Sequence, residues 1–217
     1  MNPGSNAVLN ELLRRRPDLA ECRVGIEAAF AAMAAAHTGG NKLLLCGNGG
    51  SAADSGHWMG ELVKGFGRPR RLGADDAAWF LEHGPADLGN VLAEKLQYGI
   101  RAIDLTAFGS SLTAVANDND AALVFAQLTF ALGQPGDVLV GISTSGNSRN
   151  VLAALVAARQ RRMGTIALTG PGGGKAASLA DIGIFAPGAD TAIVQEAHLP
   201  IYHTLCLMLE AEFFGDS

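Results

Sequence analysis

The stretch GDVLVGISTSGNSRNVLAAL, residues 136–155, contains an apolar run, a polar loop and a helical pattern in direct succession. The run VLVGI is typical of a buried strand, and the pattern NVLAAL is typical of an amphipathic helix. A second stretch, KLLLCGNGGSAADSGH at residues 42–57, has the same order. Because strands that alternate with helices form right-handed βαβ units, the two stretches predict an α/β protein built on a parallel sheet.

The remaining patterns extend this alternation along the chain. The predicted elements are helices at 6–15 and 19–37, a strand at 41–46, a helix at 51–64 that Ser51 caps, a helix at 122–133, a strand at 136–143, a helix at 147–163, a strand at 164–170, a short helix at 173–180, a strand at 181–187 and a helix at 191–214. Pro200 predicts either a kink in the last helix or the start of a new one. Residues 67–100 mix Gly, Pro and charge, and we interpret them as a long loop or insertion with one short helix. We expect a single domain over residues 1–217, with an N-terminal helical segment at 1–40 whose small side chains suit packing between subunits.

Composition and charge exclude several classes of protein. The 217 residues are 48% hydrophobic, which excludes a disordered chain, and their formal net charge of −5 excludes the basic surface typical of nucleic-acid-binding proteins. No run approaches the ~18 apolar residues of a membrane span, and the first residues lack the apolar core of a secretory signal. Cys22, Cys46 and Cys206 are odd in number and widely spaced, as is typical of reduced thiols. We therefore expect a cytoplasmic protein with no nucleic-acid or membrane partner.

The two polar loops are the candidate binding site. GNGGS (47–51) and STSGNS (143–148) each follow a strand and open a helix, so both should lie at the carboxyl edge of the sheet, where open α/β proteins bind ligands. Helix N-termini with free N–H groups favour anions, and the second loop adds four hydroxyl groups. Neither loop contains Lys or Arg or matches the spacing of a nucleotide-binding motif. The loops predict a phosphate held by neutral donors, as in a sugar phosphate; the alternative is ordinary helix capping.

Three stretches together carry a family resemblance: CGNGGSAADSGHWMGEL (46–62), residues 136–155 and VQEAHLPIYH (194–203). They resemble the sugar isomerase (SIS) domain family, and most closely its phosphoheptose isomerases, over nearly the whole chain. The resemblance implies a three-layer α/β/α sandwich around a parallel sheet. It also implies a homotetramer with active sites at subunit interfaces and a phosphorylated sugar, sedoheptulose 7-phosphate, as substrate.

The resemblance also implies roles for individual residues. The phosphate would lie against Ser143, Thr144, Ser145 and Ser148. The remaining substrate contacts would come from Asn48, Gly49, Gly50, Ser51, Asn117, Asp118 and Gln195. Glu61 and His203 would be the catalytic pair. One zinc ion per subunit would be bound by His57, Glu61, Gln195 and His203.

The spacing of these residues is compatible with such a site. His57 and Glu61 are four residues apart in a predicted helix, and Gln195 and His203 are eight apart, so each pair shares a helix side. Nitrogen and oxygen donors suit zinc or a harder divalent metal. In an aldose–ketose isomerisation, Glu61 would move the proton between carbons through an enediol, and His203 would act as the second acid/base. The alternatives are an ordinary surface pair for His57 and Glu61 and an interface histidine for His203. Glu196 and His198 are interpreted as surface or interface residues.

The chain departs from the family pattern in three places. In ELVKGF (61–66), Gly65 stands where the family often has Arg, and Ile193 and Val194 stand where an Arg often precedes QE. We expect both changes to remove charge near the pocket. The third departure is the longer segment 67–100, whose Arg68, Arg70 and Arg71 we expect to lie in a solvated loop rather than on the substrate.

Three other functions remain open from the sequence. The first is an isomerase of another sugar phosphate. The second is a non-enzymatic SIS module, either an adaptor that binds the replication initiator or a sugar-phosphate sensor. The third is a purely structural oligomer, which would leave the STSGNS loop unexplained.

Overall fold

The computed structural model describes residues 1–215 and contains a five-stranded parallel sheet in the order β2-β1-β3-β4-β5. The strands are β1 (Leu43–Cys46), β2 (Ala102–Asp104), β3 (Val138–Ser143), β4 (Gly164–Thr169) and β5 (Ile182–Phe185). Every residue of β1 and of the central strand β3 is buried. This burial explains the uninterrupted apolar runs that predicted both strands, since a sheet covered on both faces has no polar side.

Helices cover both faces of the sheet. They are α1 (Pro3–Arg15), α2 (Arg23–Thr38), α3 (Gly50–Val63), α4 (Ala74–His83), α5 (Ala86–Lys95), α6 (Gly109–Asp118), α7 (Val124–Leu132), α8 (Arg149–Gln160), α9 (Ala176–Leu179) and α10 (Thr191–Phe213). Leu43 and Leu45 of β1 join one core cluster, with α1, α2, α3 and α10, whereas Leu44 and Cys46 join a second cluster with α7 and α8. Alternate residues of one strand thus face opposite layers, which confirms the predicted α/β/α sandwich.

Four of the five strands are predicted by the sequence, and β2 is not. β2 has three residues, lies at the sheet edge and is only partly buried, so it carries no apolar run. The segment 67–100 contains two helices, α4 and α5, rather than the one expected. α10 continues through Pro200 as one helix, so the alternative of a new helix there was wrong.

Two predictions about the start of α3 and the thiols have clear outcomes. The N-cap of α3 is Gly49, so the assignment of that role to Ser51 was wrong. Cys22, Cys46 and Cys206 are all free and buried, as expected of reduced thiols. Within residues 1–215, no helix combines the length and the apolar character needed to cross a membrane.

Arg70 corrects the expectation of a solvated arginine loop. Its side chain is fully buried and its Nε donates to Glu210 Oε1 of α10 at 3.0 Å, while the guanidinium also donates to the carbonyl oxygens of Glu61 and Leu62. Glu210 accepts further bonds from the N–H groups of Phe66 and Gly67. This buried ion pair therefore joins the end of α3, the segment after it and α10. Arg68 and Arg71 are exposed, as expected.

Candidate functional site

The two polar loops meet at the carboxyl edge of the sheet. β1 and β3 are adjacent parallel strands with Cys46 opposite Gly141, so the loops that follow them lie side by side. Between the loops lies a cavity of about 340 Å³, which we call the loop cavity. It is lined by Asn48, Gly49, Gly50, Ser51, Ile142, Ser143, Thr144, Ser148, Thr191 and Gln195. Eight of the predicted site residues thus line one cavity.

Glycine is favoured at two positions of the first loop. Gly49 has φ +55°, a conformation that side chains disfavour, and it precedes the first turn of α3. At Gly50, a Cβ atom would overlap the amide group of Gln195, which packs directly over this position. Within residues 1–215, the N–H groups of Ser51, Ala52 and Ala53 donate to the carbonyl oxygens of Asn48 and Gly49 rather than to a capping side chain, so the positive end of the α3 dipole is what favours an anion here.

The second loop places a pair of hydroxyl groups at the start of α8. Ser143 Oγ and Ser148 Oγ are 3.0 Å apart. Ser148 occupies the N-cap position of α8, but its side chain makes no capping bond; the Val151 N–H of the first turn donates to Asn150 Oδ1 instead. Helix capping therefore does not account for Ser148. The two hydroxyl groups and the helix N-terminus form a neutral, donor-rich surface of the kind that binds phosphate.

A pair of asparagines joins the two loops. Asn48 Nδ2 donates to Asn150 Oδ1 at 2.9 Å, and Asn150 Nδ2 donates to Asn48 Oδ1 at 2.8 Å. Sequence reasoning missed Asn150. It lies inside the first turn of α8, where only the neighbourhood of the loop motif points to a site role.

Three of the predicted substrate-binding residues lie outside the loop cavity. Ser145 is exposed and faces an adjoining cavity of about 180 Å³ that it shares with Thr144. Asn117 and Asp118 lie at the end of α6, where both are exposed and Asn117 Nδ2 donates to Asp118 Oδ1. The single chain therefore does not bring these two residues to the other predicted contacts.

His57, Glu61 and His203 form a second group, which we call the imidazole–carboxylate cluster. His57 Nε2 is 3.3 Å from Glu61 Oε1 and 3.5 Å from His203 Nε2. α3 supplies the first two residues at a spacing of one helical turn, and α10, which packs against α3, supplies the third. The side chain of Glu61 is 14% exposed, whereas that of His57 is 44% exposed. The cluster is thus partly sheltered, with one imidazole open to solvent.

Charge near the cluster shifts its proton affinities. Burial raises the pKa of Glu61, but the hydrogen bond and charge of Lys64, whose Nζ lies 2.9 Å from Oε2, outweigh it and lower the pKa. Burial lowers the pKa of His203, and His57 lowers it further, against an opposing effect of Glu61. Glu61 is therefore ionised and His203 neutral near pH 7. The expectation that ELVKGF removes charge here was wrong, since Lys64 keeps a positive charge at Glu61.

A second cavity, between α3 and α10, borders both the loop cavity and the imidazole–carboxylate cluster. It has a volume of about 590 Å³ and is lined by Ala53, Asp54, His57, Ala192, Gln195, Glu196, Leu199 and Tyr202. We call it the helix cavity. Because Gln195 lines both cavities, the loop cavity and the helix cavity are adjacent, with His57 lining the second.

Tyr202 and Asp54 lie behind His57 and were not predicted from the sequence. The Tyr202 hydroxyl lies 3.0 Å from His57 Nδ1 and donates to Asp54 Oδ1 at 3.3 Å. Burial raises the pKa of Asp54, and the bond from Tyr202 and the charge of His57 lower it in part. Only the helical spacing of Asp54 and His57 hints at a shared face, because Tyr202 comes from the far end of the chain.

The other two polar residues of α10 differ from each other. Glu196 is exposed at the helix cavity, which agrees with a surface role. His198 is fully buried, and its Nε2 lies 3.2 Å from the carbonyl oxygen of Thr169 at the end of β4. The interpretation of His198 as a surface residue was therefore wrong in the single chain: it packs α10 onto the sheet.

The donors of the cluster suit zinc in chemistry and spacing. With zinc–ligand bonds of about 2.0–2.1 Å, donors at neighbouring corners of a tetrahedron are about 3.3–3.4 Å apart. The separations of His57 Nε2 from Glu61 Oε1 and from His203 Nε2, 3.3 and 3.5 Å, are of this size. Within residues 1–215, however, no group of three or more His, Cys, Asp or Glu side chains is arranged so that it could by itself hold a metal ion. Gln195 could supply a further oxygen from the same cavity as His57.

Comparison with known proteins gives consistent matches. The SIS domain family model matches residues 97–170. A phosphoheptose isomerase of Geotalea daltonii is 41% identical over 191 residues, which cover 88% of this chain and 85% of the relative. A phosphoheptose isomerase of Roseiflexus sp. (strain RS-1) is 40% identical over 82% of this chain and 76% of the relative. The structure of phosphoheptose isomerase GmhA from Neisseria gonorrhoeae superposes with a TM-score of 0.69 at 34% identity, covering 95% of this chain and 93% of that one.

Proposed function

Because this chain belongs to the phosphoheptose isomerase family of SIS-domain proteins, we propose that it converts sedoheptulose 7-phosphate to D-glycero-D-manno-heptose 7-phosphate, an aldose–ketose isomerisation at the start of nucleotide-activated heptose synthesis. The observation that carries the proposal is that the loop cavity and the helix cavity share Gln195, and that the helix cavity is lined by His57 of the imidazole–carboxylate cluster. One region suits the phosphate, and the other suits proton transfer several carbons away. An adaptor or a sensor would need only the first.

The loop cavity binds the phosphate with neutral donors. Ser143 and Ser148 supply hydroxyl groups, and the starts of α3 and α8 supply the positive ends of two helix dipoles. Asn48, fixed by Asn150, lies at the exit of the cavity toward the sugar. The phosphate thereby sets the register of the carbon chain, so that the carbonyl carbon reaches the helix cavity.

Glu61 acts as the base for the carbon-bound proton. Its carboxylate is ionised because Lys64 lowers its pKa, so it can accept the proton next to the carbonyl and return it to the neighbouring carbon. The neutral imidazole of His203 moves the hydroxyl proton in the opposite sense. The ammonium group of Lys64, 2.9 Å from Glu61 Oε2, favours the negative charge that develops on the enediolate oxygen.

We also propose one zinc ion per subunit, held by His57, Glu61, Gln195 and His203. The spacing of the donor atoms in the cluster and the position of Gln195 in the same cavity support this assignment. When bound, zinc supplies Lewis-acid polarisation of a substrate oxygen. The proton transfers above are assigned to Glu61 and His203 themselves.

The assembly and the compartment belong to the same proposal. Ala31 and Ala35 of α2 are exposed beside a groove of about 500 Å³, which supports the use of the N-terminal helices in a homotetramer. A partner subunit would also be needed to bring Asn117 and Asp118 to the substrate. We place the protein in the cytoplasm, where its metabolic substrate would be.

An isomerase assay by NMR tests the function. Purified protein is incubated with sedoheptulose 7-phosphate in D₂O, with chelator or with added zinc. We expect an aldoheptose 7-phosphate with deuterium at C2, and loss of turnover with chelator. Absence of turnover, with other ketose phosphates converted instead, would assign a different sugar; binding without any turnover would favour the sensor or adaptor.

A further inference from the structure

A three-residue chain of contacts ends at His57. Tyr202 is buried, 1% exposed, and its ring stacks on Trp58 with centroids 5.4 Å apart. This packing fixes the hydroxyl group between Asp54 Oδ1, at 3.3 Å, and His57 Nδ1, at 3.0 Å. Oδ2 of Asp54 is buried and has no hydrogen-bond partner within residues 1–215, so Tyr202 is the side-chain donor that the structure provides for this carboxylate.

The number of protons on Asp54, Tyr202 and His57 limits the directions that the hydrogen bonds between them can take. A phenol has one proton to donate, and an ionised carboxylate can only accept. If the proton of Tyr202 goes to Asp54, its oxygen must accept a hydrogen bond from Nδ1–H of His57. A neutral imidazole carries one N–H, so Nε2 is then unprotonated. Nε2 is the atom that faces Glu61 Oε1 and His203 Nε2.

We propose that Asp54 and Tyr202 are positioning residues that hold His57 in the Nδ1–H tautomer, with the lone pair of Nε2 directed at the imidazole–carboxylate cluster. This inference rests on the proposed use of His57 at the site, and goes beyond it by assigning two residues that do not touch the cluster's donor edge. It gives Tyr202 a purpose besides packing on Trp58. It also explains why a carboxylate is placed behind a tyrosine in a half-buried position.

The tautomer has a consequence for cation binding. In the Nδ1–H form, the Nε2 lone pair of His57 is free to bind a divalent cation beside Glu61 Oε1, at 3.3 Å, and His203 Nε2, at 3.5 Å. Partners of this kind behind a ligating histidine typically contribute about 10- to 100-fold in metal affinity. Loss of the Tyr202 hydroxyl should therefore weaken zinc binding by about that factor.

The test compares two tyrosines, the only two in the sequence. Tyr202→Phe removes the hydroxyl from His57 and keeps the ring on Trp58. Tyr98→Phe is the matched control, because the Tyr98 hydroxyl also donates to an aspartate, Asp76, but contacts no residue of the cluster. In a third variant, Asp54→Ala, the Tyr202 hydroxyl loses its acceptor and can donate its hydrogen bond to His57 Nδ1 instead. Thermal unfolding of each variant verifies the fold.

Two readouts are independent of turnover. Long-range ¹H–¹⁵N NMR of the chelator-treated full-length protein reports which ring nitrogen of His57 carries the proton, with the signals assigned by His57→Asn. Competition with a chromophoric chelator gives the zinc dissociation constant. We expect Nδ1–H in the wild type and in Tyr98→Phe, loss of this preference in Tyr202→Phe, and Nε2–H in Asp54→Ala. Zinc affinity should fall about 10- to 100-fold in Tyr202→Phe and remain within about twofold in Tyr98→Phe.

Three outcomes decide the matter. An Nε2–H tautomer in the wild type would overturn the proposal, as would wild-type tautomer and zinc affinity in Tyr202→Phe. A wild-type protein that fails to isomerise sedoheptulose 7-phosphate, while the tautomers follow the expected order, would overturn the proposed function and leave this inference standing.

Discussion

The loop cavity and the imidazole–carboxylate cluster are adjacent but are built in opposite ways. The loop cavity consists of two contiguous motifs, at 47–51 and 143–148, and contains hydroxyl, amide and backbone groups without a formal charge. The cluster consists of ionisable groups on two helices, α3 and α10, and the contact between His57 and His203 links residues 146 positions apart. Backbone geometry suffices to bind an anion, whereas proton transfer needs charges at set distances. Mutations should therefore separate the two regions by which kinetic constant they change.

The largest effect should come from the cluster. Glu61→Gln keeps the size and polarity of the side chain but removes the base, so kcat should fall by about 10²- to 10⁴-fold while KM changes little. Steady-state kinetics with sedoheptulose 7-phosphate measure both constants. A variant with near-normal kcat would remove Glu61 from its assigned role.

The next prediction concerns the buried ion pair between Arg70 and Glu210, which joins α10 to the segment that follows α3. Arg70→Met leaves the buried Glu210 carboxylate without its charged partner and with only the N–H groups of Phe66 and Gly67 to bond, so the free energy of unfolding should fall by about 3–5 kcal/mol. Arg71→Met is the matched control on an exposed side chain and should stay within about 0.5 kcal/mol of the wild type. Urea unfolding gives both values. Equal losses in the two variants would contradict the special role of the buried pair.

A mutation in the loop cavity should change KM rather than kcat. Ser148→Ala removes one hydroxyl hydrogen bond to the phosphate, worth about 1.5–3 kcal/mol for a charged partner, so KM should rise roughly 10- to 100-fold. kcat should change little, because the proton-transfer groups are untouched. Ser178→Ala serves as a control, since its hydroxyl bonds only locally to the Lys175 carbonyl on an exposed helix. A loss confined to kcat would contradict the division between the two regions.

The same contrast explains what could be predicted from the sequence. The loop cavity was predictable because its residues are contiguous and follow apolar strands, so the parallel topology alone brings the two loops together. His57 and Glu61 shared a helix face by spacing, but their contact with His203 was expected only from the family resemblance. Asn150, Tyr202 and Asp54 were missed because their partners are distant along the chain, and no local pattern records such a contact.

Arg70 and β2 show two further limits. A charged residue in a Gly- and Pro-rich stretch is normally solvated, and only the position of Glu210 on α10 makes burial of Arg70 possible. β2 has three residues at an edge, too few for a periodic signal. In both cases the tertiary partner, rather than the local sequence, determines the outcome.

The smallest expected effect concerns a carboxylate that stabilises the fold and lies away from both regions. Asp137, 1% exposed, precedes β3 at the end opposite Ser143 and accepts bonds from Lys42 Nζ, from the Lys42 N–H and from the Gln134 N–H. Burial raises its pKa, but these donors, Lys42 first, outweigh burial and lower the pKa below its ordinary 3.8. Because the pKa is lowered in the folded state, the unfolded chain binds the proton first as pH falls. The contribution of Asp137 to stability is therefore complete above the ordinary pKa and is lost as pH falls through the pKa of the folded state.

Asp137→Asn should therefore be less stable than the wild type near pH 7, and the difference should narrow below about pH 4. Urea unfolding across this range measures it, with kcat and KM at pH 7 expected to be unchanged. A difference in the free energy of unfolding that widens at acid pH would show that Asp137 is not held as a carboxylate. Altered kinetic constants would show that residues outside the loop cavity and the imidazole–carboxylate cluster also govern turnover.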